Sequence, residues 1–121
     1  ASPDQEKLQA EVTEILEKEC AAAKAADVQT WNRYSDEFHL VFYRYCNNSR
    51  LAESAERLRS GISIFSNQYC RETVIQTRID EEHLAIFQAY KDGDIEKAVQ
   101  MMKTHLNDSL NYALRFLPKT F

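Results

Sequence analysis

The placement of proline constrains this 121-residue chain more than any other feature. Its two prolines, Pro3 and Pro118, sit near the two ends, and the only glycines are Gly61 and Gly93. The interior therefore holds almost none of the residues that interrupt a helical hydrogen-bond ladder, which suits long helices joined by short turns. With 44% hydrophobic and 28% charged residues the composition is that of a folded domain. The length fits one domain, residues 1–121, with one modest core.

Apolar spacing predicts about five helices. The first begins at Ser2-Pro3-Asp4-Gln5, with Ser2 as cap, Pro3 in the first helical position and Gln5 completing a capping box. Its apolar stripe is Leu8, Val12, Ile15, Leu16 and Ala23, and Asp27 ends it and caps the next helix. The second runs from Val28 to about Cys46 with an aromatic face of Trp31, Tyr34, Phe38, Val41, Phe42 and Tyr45. After the turn Asn47-Asn48-Ser49, a third starts at Arg50, with Leu51, Ala55, Leu58, Ile62, Phe65 and Tyr69 at alternating steps of four and three. A break is expected over Arg71 to Ile75, then a fourth helix from about Gln76 to Lys91. Asp92-Gly93-Asp94 closes it, Gly93 supplying the left-handed turn and Asp94 the next cap. The fifth runs to about Phe116. Short turns between long helices imply antiparallel neighbours, hence an all-α up-and-down bundle.

The formal charge of −4 gives no basic face of the kind that grips DNA. No apolar run approaches the roughly 18–20 residues that span a bilayer, and the Glu- and Lys-rich start is unlike a secretory signal. The three cysteines, Cys20, Cys46 and Cys70, show no C-x-x-C spacing and read as buried free thiols in a reducing cytoplasm rather than a disulfide or redox switch. The helix-one acids Glu11, Glu14, Glu17 and Glu19 read as a solvated face.

The three histidines carry the chemical signal. His83 is flanked one turn away by Ile79, Ile86, Phe87 and Tyr90, and His105 by Ala98, Met101, Met102, Ser109 and Tyr112. His39 sits at the edge of its aromatic stripe beside Ser35, Phe42 and Cys46. All three thus face inward from different helices. A buried imidazole needs partners for both ring nitrogens, and metal ligation with a distal acceptor supplies them. Three separate core histidines, each bonded locally, satisfy the same spacing, and no dense ligand motif decides between the two.

Asp36-Glu37-Phe38-His39, Asn48-x-Arg50-Leu51, Glu82-His83, Asp92-Gly93-Asp94 with Ala98, and His105-Leu106, in that order and spacing, resemble the FCD domain. That is the effector-binding C-terminal half of one branch of GntR-type bacterial transcription regulators. The resemblance runs over most of the chain. It implies a helical bundle with a central cavity in which His39, His83 and His105 hold a divalent metal together with a helix-two carboxylate. A small organic acid then binds on or beside the ion.

The family usually places Asp, sometimes Asn, four residues before the first histidine. Here that position is Ser35, and Asp36 stands one residue later. Either Asp36 reaches inward or Ser35 leaves a coordination place to water or effector, and the helical geometry favours the second. Three imidazoles with an open place suit Zn²⁺ or Ni²⁺ better than Mg²⁺ or Ca²⁺. The winged helix-turn-helix that precedes the domain in the family, and usually a further helix, are not in the sequence. The resemblance therefore implies a piece of a cytoplasmic bacterial regulator that would bind DNA, as a homodimer, through that other part.

Asn32, Tyr43, Arg78, Ser109 and Tyr112 are candidates for contacting an effector, each weighed against ordinary packing or, for Arg78 and Arg71, a solvated surface. Met101 and Met102 read as core filler. The leading expectation is a sensor domain and not an enzyme. The alternatives are a helical interaction module without ligand, and a metal-dependent hydrolase, disfavoured because no Glu or Asp stands clearly beside His83 or His105 on their inner faces.

Overall fold

A computed structural model describes residues 3–44 and 72–114. Among them there are four helices and no strands: α1 (Pro3–Lys24), α2 (Val28–Arg44), α3 (Thr73–Lys91) and α4 (Ile95–Leu114). The all-α expectation holds. The helix expected from Arg50 lies outside the described residues, as do Ser2, Tyr45, Cys46, Cys70 and Arg71.

Local sequence sets the boundaries. Pro3 is the first helical residue of α1, where its missing N–H costs nothing. Asp27 caps α2, accepting from the Thr30 backbone N–H at 3.2 Å and the Thr30 hydroxyl at 2.7 Å. Asp94 caps α4 by accepting from the Lys97 N–H at 3.1 Å. The fourth predicted helix starts three residues earlier than expected, at Thr73 rather than Gln76. Glu72 is extended with φ −84° and ψ 133° and makes no side-chain cap. No capping residue marked the start, so apolar spacing alone misplaced it.

The turns after α1 and α3 share one plan. Asp27 N–H reaches Ala22 O at 3.0 Å and Ala26 N–H reaches Ala23 O at 3.2 Å, while Asp94 N–H reaches Ala89 O and Gly93 N–H reaches Tyr90 O, both at 3.1 Å. These are the paired bonds of a Schellman ending. The residue that turns left-handed is Gly93 (φ 81°) in one and Ala26 (φ 56°) in the other. The expected glycine role is borne out at Gly93; the alanine in the same role gave no signal in the sequence.

Helix α1 packs against both α2 and α3, and α4 packs against α3. Along α1, partners on α3 run backwards. Leu8, Val12, Ile15 and Leu16 share a cluster with Ile86 and Phe87, and Ala22 and Ala23 share one with Ile79. The pair is therefore antiparallel, as the short turns make α1–α2 and α3–α4. The expected stripe of α1 is buried in full, and Trp31, Phe38 and Val41 of α2 are closed off from solvent. Each such side chain contributes roughly 1.5–3 kcal/mol. Met101 and Met102 pack partly buried against this core, as filler should.

Candidate metal centre

The packing of α2 and α3 on α1, with the α3–α4 hairpin, brings His39 of α2, His83 of α3 and His105 of α4 to one place. The ligating nitrogens of His39, His83 and His105 all lie within 4.8 Å of one another. Ring centroids are 4.6 Å apart for His83–His105, 5.0 Å for His39–His83 and 5.2 Å for His39–His105. His83 is fully buried and stacks on the Phe38 ring at 4.0 Å. His105 is buried and His39 is half-buried. The inward orientation read from helical phase is correct for all three, and the reading of three unrelated core histidines is set aside.

Two carboxylates hold the rings from behind. Glu19 places both oxygens 3.0 Å from His83 Nδ1. Glu82 Oε2 lies 3.1 Å from His105 Nδ1. Carboxylates that accept from both Nδ1–H groups leave each ring's Nε2 with a lone pair. Those two nitrogens face each other at 3.0 Å. Two lone pairs at that separation repel unless a proton or a cation lies between them. His39 Nδ1 adds a third unsatisfied donor set, being buried with no hydrogen-bond partner among the described residues.

Electrostatics favour neutral rings. Burial, reinforced by the neighbouring imidazoles, holds His39 and His83 well below the ordinary imidazole value of 6.5. The nitrogens are therefore available as ligands at neutral pH. Two nitrogens 3.0 Å apart lie within the span permitted when both are about 2.1 Å from one ion. The donor set fits a borderline divalent metal.

Behind Glu19 lies Asp80, 4% exposed, which accepts from the Trp31 indole N–H at 2.9 Å. Burial and then the neighbouring Glu19 push Asp80 up to about 8, while burial pushes Glu19 up to about 7 and its hydrogen bond with Asp80 opposes that rise. Raised together, the two carboxyl groups hold a proton between them at neutral pH.

Two expectations are corrected. Glu19 is not part of a solvated face but 0% exposed. Carboxylates do stand beside both His83 and His105, on the Nδ1 side of each ring. Composition misled: four acids on one helix read as surface, although Glu19 lies four residues from Ile15 and Ala23, on the apolar stripe. That phase was the available signal.

Asp36 lies outside the convergent group, half-buried on α2 like Ser35. Asn32 is buried on α2, and Ser109 is half-buried one turn beyond His105. Arg78 is exposed, 3.9 Å from Glu82. The side chains of Tyr43 and Tyr112 lie outside the described residues. A cleft of about 440 Å³ between α3 and α4 reaches the cluster at His105 and Glu82, with Arg78, Thr104 and Asp108 on its walls. Cys20 is a free, half-buried thiol that burial pushes up to about 11, which makes it unreactive.

Among the described residues no helix is long and apolar enough to cross a membrane. Comparison with curated proteins and with solved structures gives no match. The family model of the FCD domain matches residues 2–108, most of the chain. The chain therefore belongs to the FCD domain family, the C-terminal effector-binding domain of GntR-type transcription regulators.

Proposed function

We propose that this domain senses a small organic acid at a divalent metal held by His39, His83 and His105. The observation that carries the reading is the facing pair of Nε2 atoms at 3.0 Å, each ring fixed from behind by a carboxylate. A cation turns that repulsion into coordination, and the orphaned His39 nitrogen gains a partner in the same event. Imidazole donors favour Zn²⁺ or Ni²⁺ over the oxygen-seeking Mg²⁺ and Ca²⁺. Ser35 or Asp36 takes, or leaves open, the remaining position.

Arg78 enters the α3–α4 cleft together with Glu81, Glu82 and Asp108. That lining is more acidic than basic, so an effector carboxylate finds its counter-charge chiefly at the ion. Asn32, Ser109, Tyr43 and Tyr112 are left to contact the rest of the molecule. The bundle then passes effector binding to DNA affinity by shifting the population of two arrangements. In this reading the working unit is a homodimeric regulator in the bacterial cytoplasm, and DNA is bound by an N-terminal domain outside this sequence. The carboxylates sit on the Nδ1 side of their rings, away from the ligand atoms, which supports a holding site over a hydrolytic one.

Elemental analysis of protein purified without chelator should find about one transition-metal ion per chain, and His83→Ala should abolish it. Small carboxylates should raise the melting temperature of the loaded protein and leave chelated protein unchanged. Protein that carries no metal and takes up neither Zn²⁺ nor Ni²⁺ in titration overturns the reading.

A further inference from the structure

Behind His83 runs a line of buried polar groups that the ligand set does not require. The Trp31 indole N–H on α2 donates to Asp80 on α3 at 2.9 Å. Asp80 hydrogen-bonds Glu19 on α1. Glu19 accepts from His83 Nδ1 on α3 at 3.0 Å. Trp31 is 1%, Asp80 4%, and Glu19 and His83 0% exposed. An apolar quartet would pack as well without the desolvation cost of two carboxyl groups.

One arrangement of protons satisfies every group along this line. An indole N–H only donates, so Asp80 Oδ1 accepts. Two carboxyl groups in hydrogen-bond contact share a proton, and with it on Asp80 that group accepts from the indole through one oxygen and donates to Glu19 through the other. Glu19 is then the charged member, with acceptor capacity for Asp80 and for His83 Nδ1–H together. The imidazole proton is pinned on Nδ1, and Nε2 is left bare toward His105 Nε2.

We propose that Asp80, acting through Glu19 and seated by Trp31, is a positioning residue that fixes the His83 tautomer in which Nε2 is the ligand atom. This rests on the metal-site reading above for its consequence, but its direct content is the tautomer of one ring. At His105 the corresponding carboxylate is Glu82, at 3.1 Å from Nδ1.

The test uses the whole chain as wild type, Asp80→Ala, Asp80→Asn and Glu19→Gln, each checked for helicity by circular dichroism. Long-range ¹H–¹⁵N NMR of metal-free protein reads the His83 tautomer, and competition with a chromophoric chelator reads Zn²⁺ affinity. Wild type should show His83 as the Nδ1–H form. Asp80→Asn keeps an acceptor for Trp31 and a donor for Glu19, so it should hold that tautomer and stay within about threefold in affinity, while Asp80→Ala should give mixed tautomers and lose about tenfold or more. A folded Asp80→Ala with unchanged tautomer and affinity overturns the proposal. If Asp80→Ala does not fold, Glu19→Gln decides in its place: an unchanged tautomer and affinity overturns the proposal, and mixed tautomers with weakened binding support it. Wild type that binds no Zn²⁺ refutes the metal reading alone, since the NMR arm still decides the role of Asp80.

Discussion

The two imidazole–carboxylate pairs have nearly the same geometry and opposite surroundings. Glu19–His83 spans 3.0 Å with both side chains at 0% exposure, and it ties α1 to α3. Glu82–His105 spans 3.1 Å with the carboxylate 30% exposed, and it stays within the α3–α4 hairpin. A hydrogen bond between charged or polar groups gains strength as water is removed, and its loss leaves a stranded partner. The sealed pair is therefore both a tertiary tie and a ring orienter. The open pair orients its ring while exchanging partly with water, and it borders the α3–α4 cleft.

The largest effect that can break this comparison is removal of the proposed metal ion. Saturation at about ten thousand times Kd should raise stability by about 5.5 kcal/mol, a melting shift of roughly 20 °C that EDTA reverses. His83→Ala and His105→Ala should each remove the shift in differential scanning fluorimetry, and a shift that survives either one takes that ring out of the centre.

Next in size is the contrast between the carboxylates. Glu19→Ala strands His83 Nδ1 and Asp80 in the core and should cost about 3–5 kcal/mol in urea unfolding of metal-free protein. Glu82→Ala should cost no more than about 1 kcal/mol, since water replaces the lost partner. Equal costs would mean that the difference in burial does not matter.

The pH dependence sharpens the same contrast. Asp80 and Glu19 are raised by burial to about 8 and about 7, so the folded state binds more protons than the unfolded one as pH climbs from the ordinary carboxyl range, and stability falls across that window. His39 and His83 are depressed below 6.5, so their contribution is lost as pH falls below that value. The opposing slopes overlap on the acid side of 6.5 and leave the carboxyl slope alone above it. Metal-free wild type should lose stability from pH 6.5 to 8, and Asp80→Asn should flatten that limb in thermal melts.

The smallest effects belong to the two turns. Ala26→Gly should stabilise by about 1 kcal/mol and Gly93→Ala should destabilise by about as much, both through the left-handed backbone. A Cβ at Gly93 would meet nothing within 4 Å, so the second value isolates backbone strain. Chemical denaturation measures both, and a neutral Ala26→Gly would show that the turn after α1 is set by packing instead.

Much of the fold was legible before any coordinates. Helix phase put Leu8, Val12, Ile15 and Leu16 inside, and Asp27, Gly93 and Asp94 marked turns, because these are properties of neighbours within one or two helical turns. Phase also turned the histidines inward. The start of α3 at Thr73 was not legible, since Glu72 offers no side-chain cap. Nor was the left-handed Ala26, because alanine carries a Cβ that disfavours that conformation and gives no turn signal.

What the sequence determined alone was which face of each helix avoids water, since that follows from apolar periodicity along a single segment. Only the tertiary structure decided what those faces meet. Glu19 and His83 are 64 residues apart and Trp31 and Asp80 are 49 apart, and no local pattern encodes such a distance. The partners of a buried polar atom are chosen when helices dock, because only then does the loss of water make one particular hydrogen bond obligatory.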